Sequence, residues 1–281
     1  MEPGLSSAPE GTATVWLTRG GLYYPGMWRA LRIAVLLFIL ATVAQTAWLV
    51  RARVAEWQDT LRVVVYPIDA DGSPATAEYI TALDAGAFHP IETFLRDEAA
   101  RYSLPLKRPV ELRLGPRVVS LPPMPPRDVG AVGAITWSLR LRFWAWRNDR
   151  TDGPRPHVRL FVLYHDPARS VRVPHSIGLQ KGLLGVVNAF ASPSQQGPNN
   201  VVIAHELLHT FGATDKYDLA TNRPVFPDGF ADPARNPPYP QDAAELMAGR
   251  IPRSPTQAEM PASLEDTVIG AKTAREINWL R

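Results

Sequence analysis

A short stretch near the middle of the chain carries residues whose types and spacing can do metal chemistry. Residues 198–212 read Pro-Asn-Asn-Val-Val-Ile-Ala-His-Glu-Leu-Leu-His-Thr-Phe-Gly. On a helix, His205 and His209 lie four apart, so their imidazoles leave the same face one turn apart. Two ring nitrogens so placed can share one metal ion at about 2.0–2.1 Å, the usual zinc–nitrogen distance. Glu206 follows the first histidine, which puts its carboxylate beside the open metal position rather than on the metal. There it can take a proton from water. Gly212 allows the chain to reverse, and Asp215, three residues later, can return as a third ligand. The same histidine spacing also suits an ordinary core helix, and Val202, Ile203, Leu207 and Phe211 make this helix a core element. The continuation to Gly212 and Asp215 is what separates a metal centre from that plainer arrangement.

The elements needed to position these residues can be read around them. Asn199 or Asn200 can cap the helix, and Gly212 sits where a left-handed residue would close it. Leu61 to Ile68 is a β-branched run ending in Asp-Ala-Asp-Gly, a buried strand followed by a turn. Residues 75–103 read as helical with a kink or break at Pro90. Val110 to Leu114, Val158 to Tyr164 and Leu184 to Phe190 read as further strands. Residues 135–147 fit a strand by alternation and a helix by the need for a crossover between parallel strands. The order implies an α/β fold with a twisted, mostly parallel sheet, an active-site helix and a C-terminal helix.

With its H-E-x-x-H-x-x-G-x-x-D pattern, the chain resembles the metzincin clan of zinc peptidases, in particular the members whose third ligand is aspartate. The snapalysin-like and immune inhibitor A-like groups share that form. Asp215-Lys216-Tyr217-Asp218 is similar to the Asp-x-Tyr-Asp of the latter. Metzincins also carry a methionine turn beneath the metal, and Ala244-Glu245-Leu246-Met247-Ala248-Gly249 looks like it, with Met247 38 residues after His209. The resemblance implies a zincin-like α/β domain and one Zn2+ ion on His205, His209 and Asp215. It implies a metalloendopeptidase with Glu206 as catalytic general base and a peptide or protein substrate. It further implies that Leu184–Phe190 is the cleft-edge strand that pairs with substrate, and that a helix follows the turn over Ser263–Leu280. The sequence departs from the clan in two ways: no histidine follows His209, and Gly249 stands where some relatives place an oxyanion-supporting tyrosine. Tyr217 and Tyr239 are the hydroxyls that can replace it. Glu245 remains an alternative third ligand, in the manner of zinc peptidases that use a distant glutamate. The rival expectation is a non-catalytic module of the same fold that binds a peptide or partner and keeps zinc for stability.

Composition narrows the rest. With no cysteine among 281 residues, a disulfide scaffold, a thiolate zinc site and a thiol nucleophile are all excluded. Residues 54–100 carry 2 basic and 9 acidic side chains, whereas 101–172 carry 14 basic and 5 acidic. The basic block contains no nucleic-acid-binding module, so no nucleic-acid partner is expected; a solvated surface, or one facing anionic lipid, is. Residues 33–50 hold no charge and are flanked by Arg29 and Arg32 before and Arg51 and Arg53 after. As a helix they match the hydrocarbon thickness of a bilayer. The expected organisation is therefore a flexible tail over 1–27, one transmembrane helix over 28–53 and a zinc peptidase domain over 57–281. The protein would be single-pass, with the large domain extracytoplasmic.

Overall fold

The computed structural model describes residues 28–41, 56–126, 130–151, 153–179 and 183–280. The chain divides into two units, Met1–Gln45 and Thr46–Arg281. In the first, residues 28–41 form a helix, α1, with exposed apolar side chains such as Leu36 and Phe38. No helix among the described residues is long and apolar enough to cross a membrane. The tail expected over 1–27 and the second half of the expected membrane segment, residues 42–53, lie outside the described residues.

The second unit is a mixed α/β structure built on one sheet. Its strands are β1 (Leu61–Asp69), β2 (Val110–Leu114), β3 (Val158–His165), β4 (Ile177–Leu179) and β5 (Leu184–Phe190), in spatial order β2-β1-β3-β5-β4. β2, β1, β3 and β5 are parallel, and β4 runs antiparallel along β5. Helices cover both faces, which is why the central strands are nearly continuous apolar runs. Alternate side chains serve the two sides. Val63, Val65, Leu160, Val162 and Val187 join the larger core, with Ile91 and Leu95 of α3 (His89–Arg101) and Leu207 of α5 (Gln196–Phe211). Val64, Tyr66, Phe161 and Val186 join a smaller core with Leu141 and Ala145 of α4 (Ala131–Asn148).

Several sequence expectations are corrected here. Residues 75–103 are helical with a break, as one of the two alternatives had it, but the break lies before Pro90: α2 (Pro74–Ala82), a tight turn at Ala85–Phe88, then α3. Pro90 lies in the first turn of α3, where a missing N–H costs nothing. The ambiguous stretch 135–147 is helical, as a connection between the parallel strands β2 and β3 requires. Leu184–Phe190 is not the sheet edge, because β4 covers it and presents the free edge instead. The helix expected over Ser263–Leu280 is only α6, Ala271–Glu276. Ser263 and Asp266 do form a capping box, but it closes a single 3₁₀ turn, Leu264–Asp266. The chain then extends, and Thr267 and Val268 pair with Ala244 and Glu245.

The start of the unit is tied to its end. Trp57 is buried, its indole N–H donates to the Ile277 carbonyl at 2.6 Å, and its ring meets Phe211 and Trp279 edge-on. Since Phe211 is the last residue of α5, this one cluster fixes the lower end of the helix that carries His205 and His209.

Candidate metal centre

α5 takes its position from β5 rather than from an N-terminal cap. Asn199 and Asn200 lie within the helix, not before it. The Phe190 N–H donates to Asn199 Oδ1 at 3.0 Å, and Asn199 Nδ2 donates to the Phe190 carbonyl at 2.8 Å. Asn200 Nδ2 donates to the Ala87 carbonyl at 3.0 Å. At the other end Gly212 adopts φ 115°, the left-handed conformation that ends a helix and sends the chain back. Asp215 arrives three residues later.

The structure brings His205, His209 and Asp215 to one point. Asp215 Oδ1 lies 3.1 Å from His205 Nε2 and 3.1 Å from His209 Nε2, and the two Nε2 atoms are 3.1 Å apart. The other nitrogen of each ring is committed: His205 Nδ1 donates to the Leu246 carbonyl at 2.9 Å, and His209 Nδ1 to the Ala213 carbonyl at 2.8 Å. A carbonyl only accepts, so each Nδ1 bears the proton and a neutral ring turns its Nε2 lone pair inward. Three acceptors converging at this range repel one another unless positive charge lies between them, either a second proton on an imidazole shared with Asp215 or a metal ion. Tetrahedral zinc with bonds of about 2.0–2.1 Å separates its ligands by about 3.3–3.4 Å, so the triangle is close to the size the ion needs.

Electrostatics follow the same geometry. Burial would lower the His205 imidazole, but the hydrogen bond with Asp215, the Glu206 charge and the Leu246 carbonyl outweigh it and raise its pKa. Burial would raise the Asp215 carboxyl, yet the two imidazoles hold it well below the ordinary range. Glu206 differs: burial dominates and pushes it up, against the pull of both histidines.

His205, Glu206 and His209 form a cluster that could hold a metal ion, their ligand atoms lying within 4.8 Å of one another. Within that cluster Glu206 stands apart from the inner triangle. Its Oε2 is buried and has no hydrogen-bond partner. Asp215, with Oδ1 in contact with both rings, fits the third ligand position better than Glu206 does. Glu245 does not reach the site. Its fully buried carboxylate accepts from Ala248 N–H at 3.0 Å, Gly270 N–H at 3.1 Å and the Thr273 hydroxyl at 2.6 Å. It binds the turn at Leu246–Met247 to the start of α6, and a Cβ on Gly270 would come within 2.9 Å of its Cγ.

That turn supports both arms of the site. Leu246 supplies the carbonyl for His205, and the Met247 carbonyl accepts from Lys216 N–H at 3.0 Å, just past Asp215. Met247 itself is fully buried. A second clamp comes from α6. Glu276 accepts from Thr214 N–H at 2.9 Å, the Thr214 hydroxyl at 2.8 Å and Lys216 Nζ at 2.7 Å, so both neighbours of Asp215 are held by one carboxylate. Burial opposes its ionisation, but these donors keep its pKa below the ordinary glutamate value.

The centre opens into a cleft of about 850 Å³ lined by His205, Glu206 and Tyr217, together with Arg172, Arg223 and Arg250. These three arginines come from separate segments far apart in the chain, so no local pattern marks them. Tyr217 has its ring centroid 6.4 Å from that of His205, whereas Tyr239 packs on Phe230. Tyr217 is therefore the hydroxyl that shares the cleft. No family model matches the chain, and no curated protein shows significant similarity to it.

Metal content of purified variants tests the ligand set. Asp215→Ala should lose bound zinc steeply, and Glu245→Gln should keep it. Glu276→Ala, which frees Thr214 and Lys216 without touching the triangle, should weaken zinc binding by about tenfold or more. Zinc loss on Glu245→Gln with retention on Asp215→Ala would reverse the assignment.

Proposed function

We propose that the protein is a metzincin-like, zinc-dependent metalloendopeptidase held to a membrane by a single N-terminal helix. The observation that carries the reading is the meeting of three acceptor atoms beside an unpartnered, buried glutamate oxygen at the wall of an open cleft. His205, His209 and Asp215 would hold one zinc ion. Such an ion lowers the pKa of water and polarises a carbonyl, the two demands of peptide hydrolysis.

The chain's own residues supply the rest. Glu206 Oε2 is free to receive a proton from water and to return it to the leaving amine. The Leu246 and Ala213 carbonyls keep both imidazoles in the tautomer that leaves Nε2 available. Asp215 contributes a negative charge where a third histidine would contribute none, which makes the metal a milder Lewis acid. Tyr217 lines the cleft near His205, which supports its hydroxyl as the donor to an oxyanion. The free edge of β4 offers backbone groups to which an extended peptide can add as a strand, with the cleft beside it.

Glu206→Gln tests the mechanism: zinc should stay bound while cleavage of a denatured generic protein falls by two orders of magnitude or more. Equal turnover in the two proteins would contradict it. Bound zinc without turnover of any substrate by the unaltered protein would instead favour the non-catalytic peptide-binding module.

The membrane part rests on the uncharged run 33–50, its arginine flanks, and the exposed apolar side chains of α1. The protein should remain in the membrane fraction after a carbonate wash, with its N-terminal tail intact. A soluble form beginning near residue 45–48 would show a cleaved leader instead.

A further inference from the structure

The outer face of α4 is apolar where it should be polar. Val132, Ile135, Leu139, Phe143 and Trp146 are 78%, 60%, 50%, 61% and 70% exposed. Their spacing of three, four, four and three residues keeps them together: at about 100° per residue all five fall within an arc of about 80°. The opposite side of the same helix, with Leu141 and Ala145, is the side that packs on the sheet. The exposed stripe is therefore not a core face awaiting its sheet, since the sheet is already met.

The charges around the stripe say what covers it. On the same helical projection Arg140 and Arg147 flank it on one side and Arg142 on the other. The helix carries no acidic residue. Arg140 and Arg147 make no ion pair or hydrogen bond among the described residues. An apolar stripe bordered on both sides by arginine, with aromatic rings at Phe143 and Trp146, is the pattern of a helix lying in a membrane interface. Its rings enter the acyl boundary, and its guanidinium groups reach back to headgroup phosphates.

We infer that this face docks the domain on an anionic lipid bilayer, with α4 parallel to the membrane plane. A protein partner of ordinary composition would not call for arginines on both flanks of a helix that carries no acidic residue of its own; a negatively charged lipid surface does. The inference depends neither on the metal centre nor on the N-terminal segment.

The absence of cysteine makes the test direct. A full-chain Trp146→Cys variant carries a single environment-sensitive fluorophore at the C-terminal end of the proposed contact. Val132→Cys serves as a second reporter, and Asp97→Cys, exposed on α3, as the reference. With phosphatidylcholine vesicles containing phosphatidylserine, the labels at 146 and 132 should shift to the blue and be quenched by brominated acyl chains. The label at 97 should stay in water. Replacing both Arg140 and Arg147 by Gln should lower the docked-to-free ratio about 25-fold, at about fivefold per arginine. Labels that stay in water on anionic vesicles, or respond equally to phosphatidylcholine alone, would overturn the inference. So would a lipid-free blue shift: one growing with protein concentration would place a second copy on this face, and one independent of concentration a segment of the same chain.

Discussion

The folded domain is organised around a repulsion. His205 Nε2, His209 Nε2 and Asp215 Oδ1 stand 3.1 Å apart in a triangle, and the proton of each imidazole is on the far nitrogen, given to a backbone carbonyl. Left to themselves, three lone pairs aimed at one point would separate. Each is held from behind, so the arrangement favours positive charge between them: a proton on an imidazole paired with Asp215, or a metal ion, which the cluster could hold.

Much of the rest of the structure can be understood as the restraint that this centre needs. Asn199 and Asn200 fix α5 against β5 and the turn before α3. The turn at Leu246–Met247 touches both arms, through His205 on one side and Lys216 on the other. Glu245 then ties that turn to α6, and Glu276 of α6 reaches back to both neighbours of Asp215. The path from turn to helix and back is closed, so neither arm can drift without breaking buried polar contacts. Such loss leaves groups unsatisfied in the interior, which is where hydrogen bonds matter most.

How much of this was legible in the sequence follows from the range of each interaction. The central strands were readable because burial on both faces leaves a continuous apolar run. The pairing of His205 with His209 was readable because helix geometry converts a four-residue spacing into a shared face. Residues 135–147 were ambiguous, since Trp137, Leu139, Leu141 and Phe143 alternate while the same stretch also satisfies a helical period; topology decided it. β4 is three residues long and carries no pattern, so the free edge was assigned to β5. The C-terminal helix implied by the resemblance is shorter than expected, because the capping box of Ser263 and Asp266 closes a single turn and nothing local shows that this turn ends at once. The carbonyl partners of the imidazoles, the restraining roles of Glu245 and Glu276, and the arginines of the cleft depend on contacts across tens of residues. Those were not readable from spacing.

The central claim concerns the atoms around the ion, and X-ray absorption at the zinc edge reads them directly in the full-length protein. The account predicts one zinc per chain, with scattering from two imidazoles and one carboxylate oxygen at about 2.0–2.1 Å. Failure to bind one equivalent of zinc, or a shell with fewer than two imidazoles, would contradict it.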